Sequence, residues 1–185
     1  MVFVEWLAVI FNLVYLFYAR KKRQAAWLFG GLGSLCYIFI NYNYHLYQDM
    51  LLQVFYVAAA VMGWISWKSQ NGNYHKTKFL SVRQLTFCLL LGIILSLLSG
   101  FLFYRWQAGW AYWDSAVTVW SLIATGLTIR HFIENWPLWI IINLTASGMY
   151  FQKELLLTSL LYLIFTDMAI EGWIIWKKQN APHAA

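Results

Sequence analysis

The sequence predicts an all-α integral membrane protein: seven transmembrane helices arranged as 3+1+3, two parallel three-helix repeats joined by a linker helix. Composition predicts the membrane, since hydrophobic residues make up 62% of the chain and charged residues 11%, against about half and about a quarter in soluble domains. A repeat predicts the arrangement, because residues 63–70 (GWISWKSQ) return as residues 172–179 (GWIIWKKQ), at an offset of 109 residues (172 − 63). A duplicated membrane chain is typical of transporters, in which a solute passes between the copies.

The same ungapped offset pairs further residues of matching chemistry. These pairs are Trp27 with Trp136, Lys21 with Arg130, Ser34 with Asn143, and Glu5 with Asp114. Tryptophans, bases and acids that align together indicate an internal duplication, which sets the fold class before any single element is assigned.

Apolar stretches of about 17 to 25 residues, the length that crosses a bilayer as a helix, predict seven spans. They lie near 3–18, 25–43, 49–67, 85–103, 114–129, 136–151 and 156–176. The first and fifth spans are short and are supported by the repeat. No basic segment precedes the first span, which we therefore expect to be retained rather than cleaved as a signal peptide.

The basic residues predict the orientation. Of the 13 Lys and Arg residues, only Arg105 and Lys153 fall on one side of these spans, and the other eleven (13 − 2) fall on the opposite side. Because loops rich in Lys and Arg stay in the cytoplasm, the N-terminus is expected outside and the C-terminus inside. The bases form no single basic face, so nucleic acid is not an expected partner.

The odd number of spans follows from the repeat. Three crossings reverse the chain, yet Lys68 and Lys177 lie on the same predicted side, so one extra crossing must separate the copies. The uncharged span from Leu85 to Phe103 suits this role. We therefore predict a first repeat over 1–70, a cytoplasmic loop and linker helix over 71–107, and a second repeat with a short tail over 108–185. The loop from Lys68 to Gln84 holds Asn71-Gly72-Asn73 and is expected to be solvated.

Polar residues inside spans are costly in hydrocarbon and indicate function. Several approach the bilayer centre, about 10 to 16 Å from a helix end at 1.5 Å per residue: Asn12, Ser34, Ser121, Asn143 and Asp167, with Gln53 nearer the outer face. This layer fits a solute site between the repeats. The alternative, hydrogen bonds that hold helices together, is favoured for the serines.

Asp167 and Glu171 are four residues apart and share one face of the seventh helix. Two carboxylates there could neutralise a cationic solute, bind a coupling ion, or act as general acid and base. The alternative for Glu171 is that it lies near enough to the cytoplasmic end to reach water.

The tryptophans divide by depth. Those at the predicted outer ends (Trp6, Trp106, Trp110 and Trp113) and at the inner ends (Trp27, Trp67, Trp136 and Trp176) are expected to anchor the chain at the interfaces. Four lie deeper, where an indole could stack on a planar cation or pack within the helices: Trp64, Trp120, Trp139 and Trp173.

Other site chemistry is sparse. No His pair shares a helix and no Gly-rich phosphate loop is present, so neither a metal nor another cofactor is expected. Cys36 and Cys88 lie in different spans, where a disulfide is not expected. The Gly30-Gly31-Leu32-Gly33 run is expected to allow a close helix contact or bending of the helix.

Four segments resemble the Pnu family of vitamin transporters, and the resemblance covers nearly the whole chain. They are 49–55 (DMLLQVF), 63–67 (GWISW), 113–115 (WDS) and 134–143 (ENWPLWIIIN). The resemblance implies a fold related to the SWEET sugar transporters and a homo-oligomer, often a trimer, in the bacterial inner membrane. It also implies facilitated diffusion of an unphosphorylated vitamin that a cytosolic kinase then traps. By position, it assigns substrate contacts to Gln53, Trp64, Trp139, Asn143 and Trp173.

The sequence departs from the nicotinamide riboside type of that family at two positions. Ala60 and Glu171 stand where such members tend to carry Asn. Nicotinamide riboside remains the preferred substrate, because the stretch around Asn143 matches that type better. Thiamine, also aromatic and cationic, is the alternative. A membrane-embedded enzyme using Asp167 and Glu171 is a more remote one, which the absence of an inward nucleophile–base pair disfavours, and an assembly subunit is another.

Overall fold

A computed structural model describes residues 2–43, 47–68, 76–104, 110–152 and 154–180. Within these ranges the chain forms seven α-helices: α1 (Val2–Arg20), α2 (Ala25–Asn43), α3 (Tyr47–Ser66), α4 (Val82–Phe103), α5 (Ala111–Ile129), α6 (Asn135–Gln152) and α7 (Leu156–Asn180). The seven-helix fold class is therefore confirmed. The largest difference from the predicted ends is at α7, which continues to Asn180 instead of ending at residue 176. Arg105, Trp106, Lys153 and the segment 71–73 lie outside the described residues.

Four of the described helices are long and apolar enough to cross a membrane by themselves, namely α1, α2, α4 and α7. In α3 the apolar stretch is shorter and runs from Met50 to Ser66. α5 and α6 are more polar, and the structure buries their polar side chains, Thr125 and Thr128 in α5 and Asn143 and Ser147 in α6. Because these groups face other helices, a lower hydropathy is compatible with a spanning helix.

The chain divides into two compact units, one up to Lys76 and one from Thr77 onward. In the first unit α2 packs on both α1 and α3. In the second unit α6 packs on both α5 and α7, and α4 packs on α5. The second helix of each copy, α2 or α6, therefore packs on both the first and the third helix of that copy. The division at residues 70 and 107 stays a prediction.

A Gly–Trp–Trp cluster fixes the packing of each copy. In the first unit Trp27 meets Trp67 edge to face, with ring centroids 5.3 Å apart, and Trp27 covers Gly63 so closely that a Cβ there would overlap the indole. The second unit repeats the cluster with Trp136, Trp176 and Gly172, and its ring centroids are 5.4 Å apart. The offset is again 109 residues (136 − 27).

The expectation that these four tryptophans anchor the inner interface was wrong. All four are buried against other helices, because the glycine opposite each pair admits an indole into the helix contact. Trp6 and Trp113, predicted at the outer interface, are exposed as expected of anchors.

The turns between the first two helices of each copy have the same backbone. Lys22 adopts a left-handed φ of 52°. Its N–H donates to the Ala19 carbonyl (3.0 Å), and the Arg23 N–H donates to the Tyr18 carbonyl (3.0 Å). This is the capping turn that satisfies the last carbonyls of a helix. It recurs after α5 with His131 (φ 63°), Thr128, Phe132 and Leu127.

The linker helix α4 uses small residues to meet α5. Gly92, Ser96 and Gly100 are buried at a spacing of four residues, which places them on one face. Trp120 covers Gly92 and Tyr112 covers Gly100, and neither glycine has room for a Cβ. A Ser81–Gln84 capping box begins the helix.

The segment before α4 is held by the second unit. Lys78 pairs with Phe132 in an isolated parallel bridge, and the Leu80 N–H donates to the Glu134 carboxylate at 2.9 Å. The predicted solvated loop from Lys68 to Gln84 is therefore too long, since its described part is hydrogen-bonded from Lys78 and α4 begins at Val82. The physical reason is the carboxylate of Glu134, which supplies an acceptor for backbone that water would otherwise satisfy.

The predicted close approach at the glycine run is confirmed. A Cβ on Gly30 would lie 3.0 Å from the Tyr15 ring of α1, and one on Gly31 would lie 3.3 Å from the Ala60 methyl of α3. The two glycines thus face opposite neighbours of α2.

Candidate functional site

The residues at the start of α6 make contacts that hold the fold together. The Asn135 side chain is fully buried and donates to the Phe132 carbonyl at 2.6 Å. Glu134 holds the segment before α4, and Trp136 lies over Gly172. The first three residues of the ENWPLWIIIN stretch therefore hold the fold, and only its later residues are available for a solute.

Asn143 is the most distinctive of these later residues. Its side chain is only 5% exposed, and its carboxamide makes no hydrogen bond to any residue that the structure describes. Its polar atoms are not among the fully enclosed atoms without a partner, which include Asn135 Oδ1 and Trp136 Nε1, so they remain within reach of water. A ligand that offers both a donor and an acceptor could take the place of that water.

Trp139 lies one turn before Asn143, on the same side of α6. Its Nε1–H donates to the Thr128 hydroxyl of α5 at 3.4 Å. That hydroxyl in turn donates to the Ala124 carbonyl at 2.8 Å. The half-buried indole is thus fixed in orientation one turn from the unpaired amide, and the pair offers a planar ring and a polar group together.

The two carboxylates of α7 lie on a side of the helix that does not pack on α6. Asp167 and Glu171 are exposed in the described structure. The opposite side of the same helix, with Ala169, Gly172 and Trp176, is buried against α6. Within this unit the structure therefore does not bring the acids together with Asn143, although it does place both acids on one helix face.

Trp64 and Trp173 occupy equivalent positions in the two copies. They are 42% and 40% exposed, so each indole keeps a large surface that no described helix covers. The Lys177 ammonium lies 5.9 Å from the Trp173 ring centroid. The Trp64 carbonyl accepts a hydrogen bond from the Gln24 amide at 2.8 Å.

The remaining candidates differ in what they contact. Gln53 is half-buried on α3. Asn12 faces Gly33 of α2. A Cβ added to Gly33 would lie 3.4 Å from the Asn12 Oδ1. Trp120 covers Gly92 of α4. For Asn12 and Trp120 these contacts favour the helix-packing alternative that the sequence left open.

A serine pair between α6 and α7 was not predicted. The Ser147 and Ser159 hydroxyls are 2.9 Å apart, and each also reaches the other residue's backbone carbonyl, at 3.0 and 2.9 Å. Such a pair joins two helices inside a membrane. The only signal in the sequence is that both serines lie near the same end of adjacent spans.

Metal-binding side chains do not cluster in the part of the chain that the structure describes. There, no three His, Cys, Asp or Glu side chains are arranged to hold a metal ion. Cys36 and Cys88 are free thiols.

Comparison with known proteins identifies relatives over nearly the whole chain. The family model described as "Nicotinamide mononucleotide transporter" matches residues 2–178. The nicotinamide riboside transporter PnuC of Escherichia coli is 27% identical over 201 aligned residues, covering 94% of this chain and 84% of that protein. The protein of the same name from Neisseria mucosa is 26% identical, covering 97% of this chain and 75% of that protein.

One solved structure has the same fold. The crystal structure of the vitamin B3 transporter PnuC superposes with a TM-score of 0.77 and covers 98% of this chain and 83% of its own. Its sequence is 22% identical, so this likeness describes the fold alone.

Proposed function

Because the chain belongs to the nicotinamide mononucleotide transporter family, and so is a multi-pass membrane transporter rather than an enzyme, we propose that its substrate is nicotinamide riboside. The single observation that carries this proposal is the match to two transporters named for that substrate, over 94% and 97% of this chain. The unpaired Asn143 amide, one turn from an oriented indole, supports it independently.

The chemistry of nicotinamide riboside suits these two side chains. The nicotinamide ring carries a carboxamide, which would donate to and accept from the Asn143 carboxamide. The ring is also a permanent cation, and a desolvated cation over a tryptophan face gains roughly 0.5 to 2 kcal/mol. Trp139 is held in place for such a contact by Thr128.

The other candidates stay proposed substrate contacts. In the second unit the exposed indole of Trp173, and in the first unit the exposed indole of Trp64 and the amide of Gln53, would contact the ring or the ribose. Asp167 and Glu171 would lower the electrostatic cost of moving a cation through the membrane. Asn12 and Trp120 contribute less in this proposal, because their side chains already contact neighbouring helices.

The transport mode follows from the same proposal. We place the protein in the bacterial inner membrane as a homo-oligomer such as a trimer, with its N-terminus outside. Nicotinamide riboside would cross by facilitated diffusion, and a cytosolic kinase would trap it by phosphorylation, because the added phosphate carries negative charge that is costly to move through a membrane.

Thiamine is the second candidate because of two residues. Ala60 is buried and apolar, so it cannot supply the amide expected for nicotinamide riboside at that position. Glu171 offers a carboxylate that would accept a hydrogen bond from the aminopyrimidine of thiamine.

Two measurements test the proposal on the intact chain. The first is thermal unfolding of the purified protein with nicotinamide riboside, thiamine, riboflavin or a deoxynucleoside, because a ligand that binds only the native state raises its stability. We expect the largest rise with nicotinamide riboside. A larger rise in melting temperature with thiamine would mean that thiamine, and not nicotinamide riboside, is the substrate.

The second measurement is uptake of labelled nicotinamide riboside into proteoliposomes. Facilitated diffusion predicts accumulation of intact label in the lumen until the concentrations are equal, without an ion gradient. If label binds but never enters the lumen, the transport proposal is wrong. If accumulation exceeds equilibrium with a sodium or proton gradient, facilitated diffusion is wrong but the substrate stands.

A further inference from the structure

A groove runs along the seam between α5 and α6. Its wider part has a volume of about 490 Å³ and is lined by residues that include Trp110, Trp113, Gly148 and Gln152. Its narrower part, of about 140 Å³, is lined by residues that include Trp120, Leu138 and Ile141. Thr145 lines both parts, so the two parts adjoin at this residue.

The polarity of the groove changes along its length. Tryptophans and the Gln152 amide line one end, whereas the other part is lined almost wholly by apolar side chains. From Gln152 to Leu138 is 14 residues (152 − 138), or about 21 Å of helix at 1.5 Å per residue. Half of a bilayer's hydrocarbon core is about 15 Å thick. One acyl chain would fill about 15 Å of this length, and the remaining length of about 6 Å (21 − 15) at the tryptophan end would hold its polar head group.

The groove opens outward along its side. Ile141 and Trp113 are 62% and 55% exposed and form part of its edges. Asn143 lies two residues from Thr145, so the two side chains are about 160° apart around α6. A solute held at Asn143 would therefore be on the opposite side of α6 from this groove.

The groove belongs to the second copy of the repeat. A Cβ on Gly148 would meet none of the described residues within 4 Å, so packing in the described part of the chain does not require this glycine. Its counterpart in the first copy is Phe39 (148 − 109). The counterparts of Trp120 and Leu138 are Phe11 and Phe29, whose rings contact each other at 6.2 Å. The copies have therefore diverged, with aromatic rings along the first seam and an open seam in the second.

We infer that an acyl chain of a membrane phospholipid occupies the groove between α5 and α6, with its head group beside Trp110, Trp113 and Gln152. The chain is a multi-pass membrane protein, so lipid surrounds it, and among the described residues no side chain that lines the groove is charged. The inference does not depend on which vitamin is carried.

The test fills the groove without disturbing the fold. Gly148→Leu places an isobutyl group in the open seam. Gly126→Leu is the matched control, because a Cβ on Gly126 also meets nothing within 4 Å and Gly126 does not line the groove. Native mass spectrometry with palmitoyl-oleoyl phosphatidylethanolamine measures lipid retention. We expect wild type and Gly126→Leu to retain one lipid that Gly148→Leu loses.

Each other result overturns the inference. Equal lipid retention by both variants means that the groove holds no lipid. A changed affinity for nicotinamide riboside in Gly148→Leu, with lipid retained, makes the groove a solute site. A changed oligomeric state with lipid retained makes it a subunit interface. If Gly148→Leu does not fold, Thr145→Phe narrows the groove where its two parts meet, and the same outcomes apply.

Discussion

Asn143 combines two properties at the scale of a single residue. It is buried, and its carboxamide has no partner among the described residues. Its counterpart in the first copy, Ser34, is also buried but carries a hydroxyl group, which is smaller than a carboxamide. The carboxamide offers a ligand both a donor and an acceptor group, whereas Ser34 offers a single hydroxyl. The two equivalent positions therefore allow a direct comparison of the proposed ligand contact with its counterpart in the other copy.

Replacing Asn143 should weaken substrate binding. We expect Asn143→Ala to raise the Kd for nicotinamide riboside about tenfold, which corresponds to about 1.4 kcal/mol, because the ligand's carboxamide loses both hydrogen bonds. Isothermal titration on folded protein measures this, with Ser34→Ala as the control that should leave the Kd unchanged. Equal effects of the two variants would place the site elsewhere.

The charge of Asp167 should matter more than its shape. Asp167→Asn keeps the size of the side chain and removes the charge, so the affinity for a cationic vitamin should fall several-fold. The loss should be smaller at high salt, because an exposed charge is screened. Glu154→Gln, at an exposed acid in the turn before α7, is the control. If Asp167→Asn binds as wild type does at low salt, Asp167 has no role in binding.

Lys22 should make stability depend on pH. Burial lowers the pKa of Lys22 from its usual 10.5 to about 8. Between these pH values the unfolded chain binds a proton that the folded chain does not, so the free energy of unfolding rises with pH. We expect Lys22→Met to melt at a higher temperature than wild type at pH 7, with a smaller difference near pH 10. A difference that does not change with pH would contradict this.

At the scale of the helices, each copy is held by the same contact between a glycine and an indole. The third helix of each copy presents a glycine, Gly63 or Gly172, to a tryptophan at the start of the second helix. Without a Cβ the helices approach closely enough for a second tryptophan to meet the first edge to face, a favoured geometry for aromatic pairs.

Adding one methyl group at this contact should destabilise the fold. Gly172→Ala would push the Trp136 indole out of the contact, at a cost typical of overpacking, about 1 to 3 kcal/mol. Gly148→Ala is the control, because the added Cβ meets nothing and alanine favours a helix. Thermal unfolding should show a lower Tm for Gly172→Ala only. Equal melting temperatures would mean that the indole moves aside freely.

At the scale of the whole chain, the duplication and the linker helix determine the topology together. Both copies show the same left-handed turn, the same indole pair and the same central helix. The sequence predicts parallel copies of three spans, which need a fourth crossing between them, and α4 is the helix that lies between the two copies along the chain. The segment before α4 is hydrogen-bonded to the second unit through Lys78 and Leu80.

Cysteine labelling tests this topology in membranes. In a background with Cys36→Ser and Cys88→Ser, we expect Lys68→Cys and Lys177→Cys to react with a membrane-impermeant maleimide from the same side. Glu154→Cys, in the turn between α6 and α7, should react only from the other side. Labelling of Lys68→Cys and Lys177→Cys from opposite sides would exclude parallel repeats.

Much of this architecture was predictable from the sequence because it depends on local or periodic features. Helix lengths follow from apolar runs, and the parity of three crossings predicts the role of the span from Leu85 to Phe103. The environment of individual side chains was less predictable. Trp27 and Trp136 were expected at the interface, since a tryptophan near a helix end has the same sequence pattern whether it faces lipid or another helix.

Composition and the order of residues along the chain were enough to predict the membrane class, the seven helices, the duplication and the family. Which polar and aromatic residues are used in packing, and which remain available, depends instead on the contacts between helices. Trp120 covers Gly92, whereas the Asn143 amide has no described partner, although both lie deep within apolar spans. The difference depends on which helix faces each side chain, and a contact between distant segments leaves no trace in the local pattern of either one.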